Sequence, residues 1–451
     1  MRPITLLFAP LLLAAAEDRP IATKAILEPA EARYRSQVLG DLDHPIADRI
    51  VFAGQSIAAK RGAKGELELD LSGTGKFHSY SKSQLVQISV TIPLGEGKKP
   101  KAAKLGLLLE RQADDSWTYR NASQLSVALG KERLALVDVD GDGSFNTPGV
   151  DGMTWSGNTY LFPLPAADER FCTTALDLTG LTMGGLGENF TLLGRPLTTT
   201  VAEALPILHD TNRERVKLGL SPRPEDAGLS ADLQKHCAYM RLNGKLGHPE
   251  ESGRPGFSPE GHNSGMRSIL SYGTAPAHIA AGMVSTYFHR QDVIRPETRA
   301  FGVGFDGGYG GIDGRTVVGS VASFRWPVLC PAPDQSDVPV AFKKEAPDPI
   351  PGDDRAGFPV TAYFGSGSAR LESYQMVISA APKTPIECYA YDFKTGASPE
   401  FSGYQNCVCL IAKDPLKPAT AYTVTMAVDH GGKRWEKTWS FTTSSAVDGR
   451  H

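Results

Sequence analysis

Three aspartates at alternate positions, Asp138, Asp140 and Asp142, are followed directly by Gly143 and Ser144. They match positions 1, 3, 5, 6 and 7 of a calcium loop, in which alternate carboxylates and one backbone carbonyl, here that of Ser144, converge on a hard cation. Gly141 and Gly143 let the backbone curl tightly enough for that convergence. The exit departs from the EF-hand: position 12 is Gly149, and the next acid, Asp151, is the residue expected to close the loop. The competing reading is a solvated acidic turn. An earlier stretch, Leu69-Asp70-Leu71-Ser72-Gly73-Thr74-Gly75-Lys76-Phe77, echoes Val137 to Phe145 but carries Ser72 and Thr74 where the second and third acids would be. That first copy is expected not to bind.

Histidine forms the second concentration of reactive side chains. Six of the ten, His209, His236, His248, His262, His278 and His289, fall in one segment. His236 shares the apolar face of a helix and is expected as a buried, hydrogen-bonded core residue, while His248 lies just past that helix and can face a cleft. His278 and His289 return to one helix face about 16 Å apart at 1.5 Å per residue, too far to share an ion. No G-x-S-x-G or H-E-x-x-H pattern is present, so no nucleophile or zinc-protease signature supports catalysis.

The elements that must position these residues fall into three domains. Residues 17–195 read as a β-rich domain of short strands broken by Gly, Asp and Lys. Residues 196–325 read as α+β. Thr200 to Glu203 has capping-box spacing, with Pro206 kinking the helix or marking its first turn. A clearer helix has Ser230 as its cap, an apolar stripe of Leu229, Leu233, Cys237 and Met240, and Gly244 as its stop. A short helix over 264–272, another after Pro276, and strands over 301–305 and 316–324 follow. Residues 326–357 hold a proline-rich, semi-rigid spacer. Residues 358–445 read as strand-like runs of a small all-β sandwich whose last hairpin turns at Asp429-His430-Gly431-Gly432.

With 451 residues the chain is long enough for about three cores. Its 47 Lys and Arg against 50 Asp and Glu leave a net charge of −3, which excludes a basic field for nucleic acid or acidic lipid. Gly (47) and Pro (32) favour turns and short strands over a helix bundle. Residues 1–16 combine Arg2, an apolar run interrupted by Pro10, and small residues that fit an A-x-A cleavage site, a signal peptide. The run is too short for a membrane anchor, and no later segment is apolar enough to span. The expected location is therefore secreted, periplasmic or cell-envelope, where six cysteines can pair as disulfides. No Cys/His spacing matches a structural zinc site.

Taken in order, Asn212-Arg213, Gly219-Leu220-Ser221-Pro222, Leu229 through Met240, His248-Pro249-Glu250, Pro259-Glu260-Gly261, and Phe288-His289-Arg290-Gln291-Asp292-Val293-Ile294 leading to Phe301-Gly302-Val303-Gly304 resemble a bacterial CAP (SCP-type) domain. That superfamily includes cysteine-rich secretory proteins, venom antigens and pathogenesis-related proteins. The resemblance spans about residues 198 to 325 and implies an α-β-α sandwich with a central cleft lined by two His and two Glu. His248 matches the first His, Glu260 the first Glu and His289 the second His; the second Glu is missing. The three that remain suffice for Zn2+ or another divalent metal with a water in the open place. The Tyr422-Thr423-Val424 and Trp439-Ser440-Phe441-Thr442-Thr443 ending resembles bacterial immunoglobulin-like modules, in which Cys388 would pair with Cys409 or Cys407. The leading reading is an exported binding protein whose cleft engages a small molecule, glycan or peptide. The alternative is a metal-dependent or His/Glu-assisted hydrolase in the same cleft, with Ser285 or Ser264 as a nearby hydroxyl. A purely structural envelope component would leave the cleft without a use.

Overall fold

The computed structural model describes residues 18–30, 34–36, 39, 42–92, 99–155, 158–167, 169–173, 176–319, 326–350, 352, 355–395 and 405–445. The expected signal peptide, residues 1–16, lies outside them. Among the described residues, the strands between Arg19 and Pro196 form four antiparallel sheets. Alternation explains their packing: in Lys101–Arg111, Leu105, Leu107 and Leu109 point into one core shared with Leu125, Leu134, Leu136 and Phe190. One sheet orders His44–Pro45, Trp117–Asn121, Lys101–Arg111 and Gln84–Ile92, and another contains the hairpin of Glu132–Val137 with Gly152–Trp155. The Asp138 loop is the connection of that hairpin.

The central part contains five α-helices: α1 (Leu205–Lys217), α2 (Ala227–Asn243), α3 (Pro259–Gly265), α4 (Ile279–Val284) and α5 (Arg290–Ile294). A three-stranded antiparallel sheet orders Ile269–Tyr272, Tyr309–Asp313 and Gly302–Asp306. Alternating residues of its middle strand meet opposite layers: a Cβ on Gly310 would touch Ile279 of α4, and one on Gly311 would touch Leu233 of α2. Helices therefore cover both faces.

Glycine sets how closely α2 approaches the edge strand Gly302–Asp306. A Cβ on Gly304 would lie 2.9 Å from the Leu233 backbone, and one on Gly302 would lie 2.6 Å from the Leu229 Cβ. At that range the helix side chains act as the missing strand partner. Val303 N–H donates to Ser230 Oγ at 3.0 Å, while Gln234 accepts from Phe305 N–H at 2.9 Å and donates to Phe305 O at 3.0 Å. The expected helix stripe of Leu229, Leu233, Cys237 and Met240 is buried, and Gly244 ends the helix in the left-handed conformation.

Several local expectations are corrected. Ser230 is not the cap of α2; Asp226 caps it, accepting from Leu229 N–H at 2.9 Å, because Ser230 is bound to the strand. Thr200 forms no capping box and bonds Glu225 instead, and Pro206 lies in the first turn of α1. The helix expected over 264–272 is α3 followed by the strand Ile269–Tyr272. The second strand after α5 is Tyr309–Asp313 rather than 316–324, of which 320–324 lie outside the described residues.

The expected spacer at 326–357 is part of a packed unit. Val328–Cys330 is a strand paired with Val360–Tyr363, and Val338, Val340 and Phe342 are buried in a cluster that runs from Ile207, Tyr287 and Val293 to Tyr363, Val424 and Trp439. That cluster joins the central helices to the two antiparallel sheets of residues 328–442. All six cysteines are free thiols. The pairing expected for Cys388 fails on register: it lies opposite Ala412, whereas Cys409 lies opposite Tyr391. Three residues of strand separate those positions by about 10 Å and turn them to opposite faces.

Gly304→Ala is expected to lower stability by about 1–3 kcal/mol through overpacking against α2. Gly247→Ala, where a Cβ would meet nothing within 4 Å, is expected to stay within about 0.5 kcal/mol. Urea midpoints of the two variants check this.

Candidate metal centre

The antiparallel register of Glu132–Val137 with Gly152–Trp155 pairs Val137 with Gly152. The next residues outward, Asp138 and Asp151, are thereby brought face to face, and both are fully buried. Asp140, which is exposed, completes a group whose ligand oxygens all lie within 4.8 Å of one another. Oxygens bound to one calcium at 2.3–2.6 Å are at most about 5 Å apart, so the spacing suits a single ion.

Backbone N–H groups hold the carboxylates in place. Asp138 accepts from Gly141 N–H at 2.7 Å and Gly143 N–H at 3.0 Å, and from the Asn121 amide at 3.1 Å. Asp151 accepts from Val139 N–H at 3.1 Å and Thr147 N–H at 2.8 Å. Among the described residues no Lys or Arg pairs with any of these acids. Burial first, and then the Asp151 charge, raise Asp138 well above the usual carboxylate range despite its N–H donors. Burial likewise pushes Asp151 up to about 7, the charges of Asp140 and Asp142 adding to it.

One carboxylate of the expected shell stands outside the group of three. Asp142 is exposed and accepts from Ser144 N–H at 2.7 Å, outside the group of three. The Ser144 N–H thus fixes Asp142.

The earlier copy of the motif has the same backbone curl and different electrostatics. Asp70 accepts from the N–H groups of Ser72, Thr74 and Gly75, as Asp138 does in its loop. Where the second copy places Asp140 and Asp142, Ser72 and Thr74 bond one another at 2.6 Å. Burial raises the Asp70 carboxyl, but the bonds from Gly75, Ser72 and Thr74 outweigh it and hold the group below its ordinary range. The hydroxyl copy satisfies itself, whereas the carboxylate copy accumulates like charge.

Each of the three residues expected to share a cleft has a neighbour of its own. His248 Nδ1 is 2.8 Å from Gly265 O, Glu260 lies 3.6 Å from Lys235 Nζ on the surface, and His289 Nδ1 is 2.8 Å from Glu345 Oε2. Among the described residues, no group of three metal-ligating side chains includes them. The buried His/Glu pair of this region is instead His236 and Glu250, 2.9 Å apart, with Glu250 also accepting from Ser258 N–H. His236 is buried, as its helix position implies. Glu250 stands two residues after His248 in the same motif, and its partner is set by the loop that folds back onto α2, which spacing alone does not reveal.

No family model and no curated protein matches the chain. Among solved structures, an extracellular protein containing a SCP domain from Bacillus anthracis str. Ames is similar at 13% identity, covering 64% of this chain and 87% of that chain, with a TM-score of 0.21. A likeness of that size assigns neither fold nor function.

A cation at the buried carboxylates would have to compete with protons. A folded-state value near 7 for Asp151, against about 3.9 in an unfolded chain, means that the folded state binds the extra proton between those values. Stability of the metal-free protein therefore falls as pH rises through that window. Calcium affinity runs the other way, and titration calorimetry is expected to show it rising between about pH 5.5 and 7.5 with protons released on binding. A pH-independent affinity over that window contradicts Asp151 as a ligand.

Proposed function

We propose that this is an exported, calcium-binding protein of the non-enzymatic, ligand-binding kind, whose first domain is stabilised by an ion held by Asp138, Asp140 and Asp151. The observation that carries the reading is the convergence of three carboxylates, two of them fully buried, with no pairing cation among the described residues. The composition of residues 1–16 supports export. Outside the cell, calcium at about 10⁻⁴–10⁻³ M suffices to fill modest sites. The hydrolytic alternative needs His248, Glu260 and His289 around one ion or water, and among the described residues no group of three metal-ligating side chains includes them. In this reading the C-terminal sheets, joined to the central helices through a common core, act as a rigid extension rather than a catalytic part.

The test uses the full chain. Calcium is expected to stabilise the first domain by RT ln(1 + [L]/Kd), about 2.7 kcal/mol at one hundred times Kd, and so to raise its melting temperature. Asp140→Ala, which removes an exposed ligand and no core contact, is expected to erase most of that shift while leaving the calcium-free melting temperature in place. An unchanged melting temperature from micromolar to millimolar calcium reduces the loop to an acidic turn.

A further inference from the structure

A cavity of about 300 Å³ opens beside the aspartate loop and shares Asp138 and Val139 with it. It lies on the outer side of the sheets whose inner sides form the first core. On Lys101–Arg111 the inner residues are Leu105, Leu107 and Leu109, and on Gln84–Ile92 they are Val86, Ile88 and Val90. Their outer neighbours are Lys104, Glu110, Gln87 and Ser89, as a solvent face requires. Leu85 and Leu108 break that pattern: they are directly paired in register and both line the cavity, with Leu85 half exposed.

The opposite wall repeats the anomaly. Ala135 and Val137, the outward residues of Glu132–Val137, pack with Tyr34, Leu39 and Leu161 into a small apolar cluster separate from the main core. Val137, Leu161 and Tyr34 line the cavity. Two apolar surfaces thus face one concavity that the main core does not fill.

The polar groups of the lining are spent on the protein. Arg120 donates to both carboxylate oxygens of Asp43, at 2.6 and 2.5 Å, and to Tyr34 O at 2.9 Å. The Tyr34 hydroxyl donates to Gln124, and Asn121 donates to Asp138. The walls therefore offer apolar area and no unpaired cation to hold an anionic ligand.

We propose that this cavity is a binding site for a small, uncharged, apolar molecule. Its volume falls at the lower end of small-molecule pockets, which are mostly apolar with a few fixed polar groups. Asp138 belongs to the wall, and Asn121 bridges wall and loop, so an ion that fixes Asp138 also fixes one side of the pocket. This linkage rests on the calcium reading; the pocket itself does not. Coupling is reciprocal, so a ligand that binds better with calcium present must raise calcium affinity by the same factor.

The probe is the neutral fluorophore N-phenyl-1-naphthylamine, titrated into the full chain. A saturable, one-to-one rise in fluorescence is expected. Leu85→Arg puts a charge at an already exposed lining position, and Leu108→Trp fills the space; each is expected to weaken binding at least tenfold with an unchanged melting temperature. Leu242→Arg, in a separate exposed apolar position on α2, is expected to change nothing. Absence of saturation, or equal affinity in the Leu85 and Leu108 variants, overturns the pocket. Repeating the titration in calcium and in chelator, with Asp140→Ala as control, tests the linkage: a severalfold gain in calcium that the variant lacks supports it. Equal affinity in both overturns the linkage alone. A missing calcium shift in melting temperature overturns the metal reading and leaves the pocket to the Leu85 and Leu108 result.

Discussion

The first domain depends on one register. Pairing Val137 with Gly152 sets Asp138 against Asp151 inside the protein, where like charges opposite one another are costly. The loop that carries them is also where neighbouring parts of the domain meet. Gly141 O accepts Ala53 N–H at 2.7 Å from the turn after Arg49–Phe52, and Phe145 N–H donates to Gly185 O at 2.8 Å. Asn121 ties the loop to a third sheet. Strain from two buried carboxylates is therefore not confined to a loop tip, and a proton or a cation is the way to relieve it.

A different constraint holds the remainder together. Glu345 is buried and accepts the N–H groups of Tyr287, Phe288 and His289 together with His289 Nδ1. Next to it, the buried guanidinium of Arg290 donates to Pro359 O and Thr361 Oγ1 on one side and to Val284 O and Thr286 O on the other. Breaking one partner of such a buried charged network leaves desolvated groups unpaired, typically at about 3–5 kcal/mol. The His289-Arg290 segment is thus a joint between helices and sheets.

What was legible in the sequence follows from the range of the interactions involved. Local patterns were readable: the apolar stripe of α2, its Gly244 stop, the 1-3-5 spacing of the aspartates and the strand alternation all arise within a few residues. Contacts made across the chain were not. Ser230 has a cap's chemistry and serves a strand; a proline-rich stretch reads as a spacer and supplies the strand Val328–Cys330; Cys388 and Cys409 sit on paired strands in the wrong register. His289 was legible as a functional-looking histidine because its partner, Glu345, lies in the very stretch that composition marks as linker. Leu85 and Leu108 carried a signal in their own alternation, but only their pairing gives it meaning.

The two copies of the loop differ in what they anchor as well as in charge. Phe77, which ends the first copy, is partly exposed with the Lys60 ammonium 4.0 Å above its ring. Phe145, which ends the second, is fully buried in the first core beside Leu125 and Phe190. A loop that satisfies itself through hydroxyls can end in a surface aromatic without consequence. One that delivers a phenylalanine to the core must hold its curl, and the second copy does so with carboxylates whose mutual repulsion opposes that curl. On the proposed calcium reading, an ion at Asp138, Asp140 and Asp151 would reverse the sign of that interaction and fasten the loop that carries Phe145. Any ion bound there would act on the core through Phe145 and on the concavity that shares Asp138.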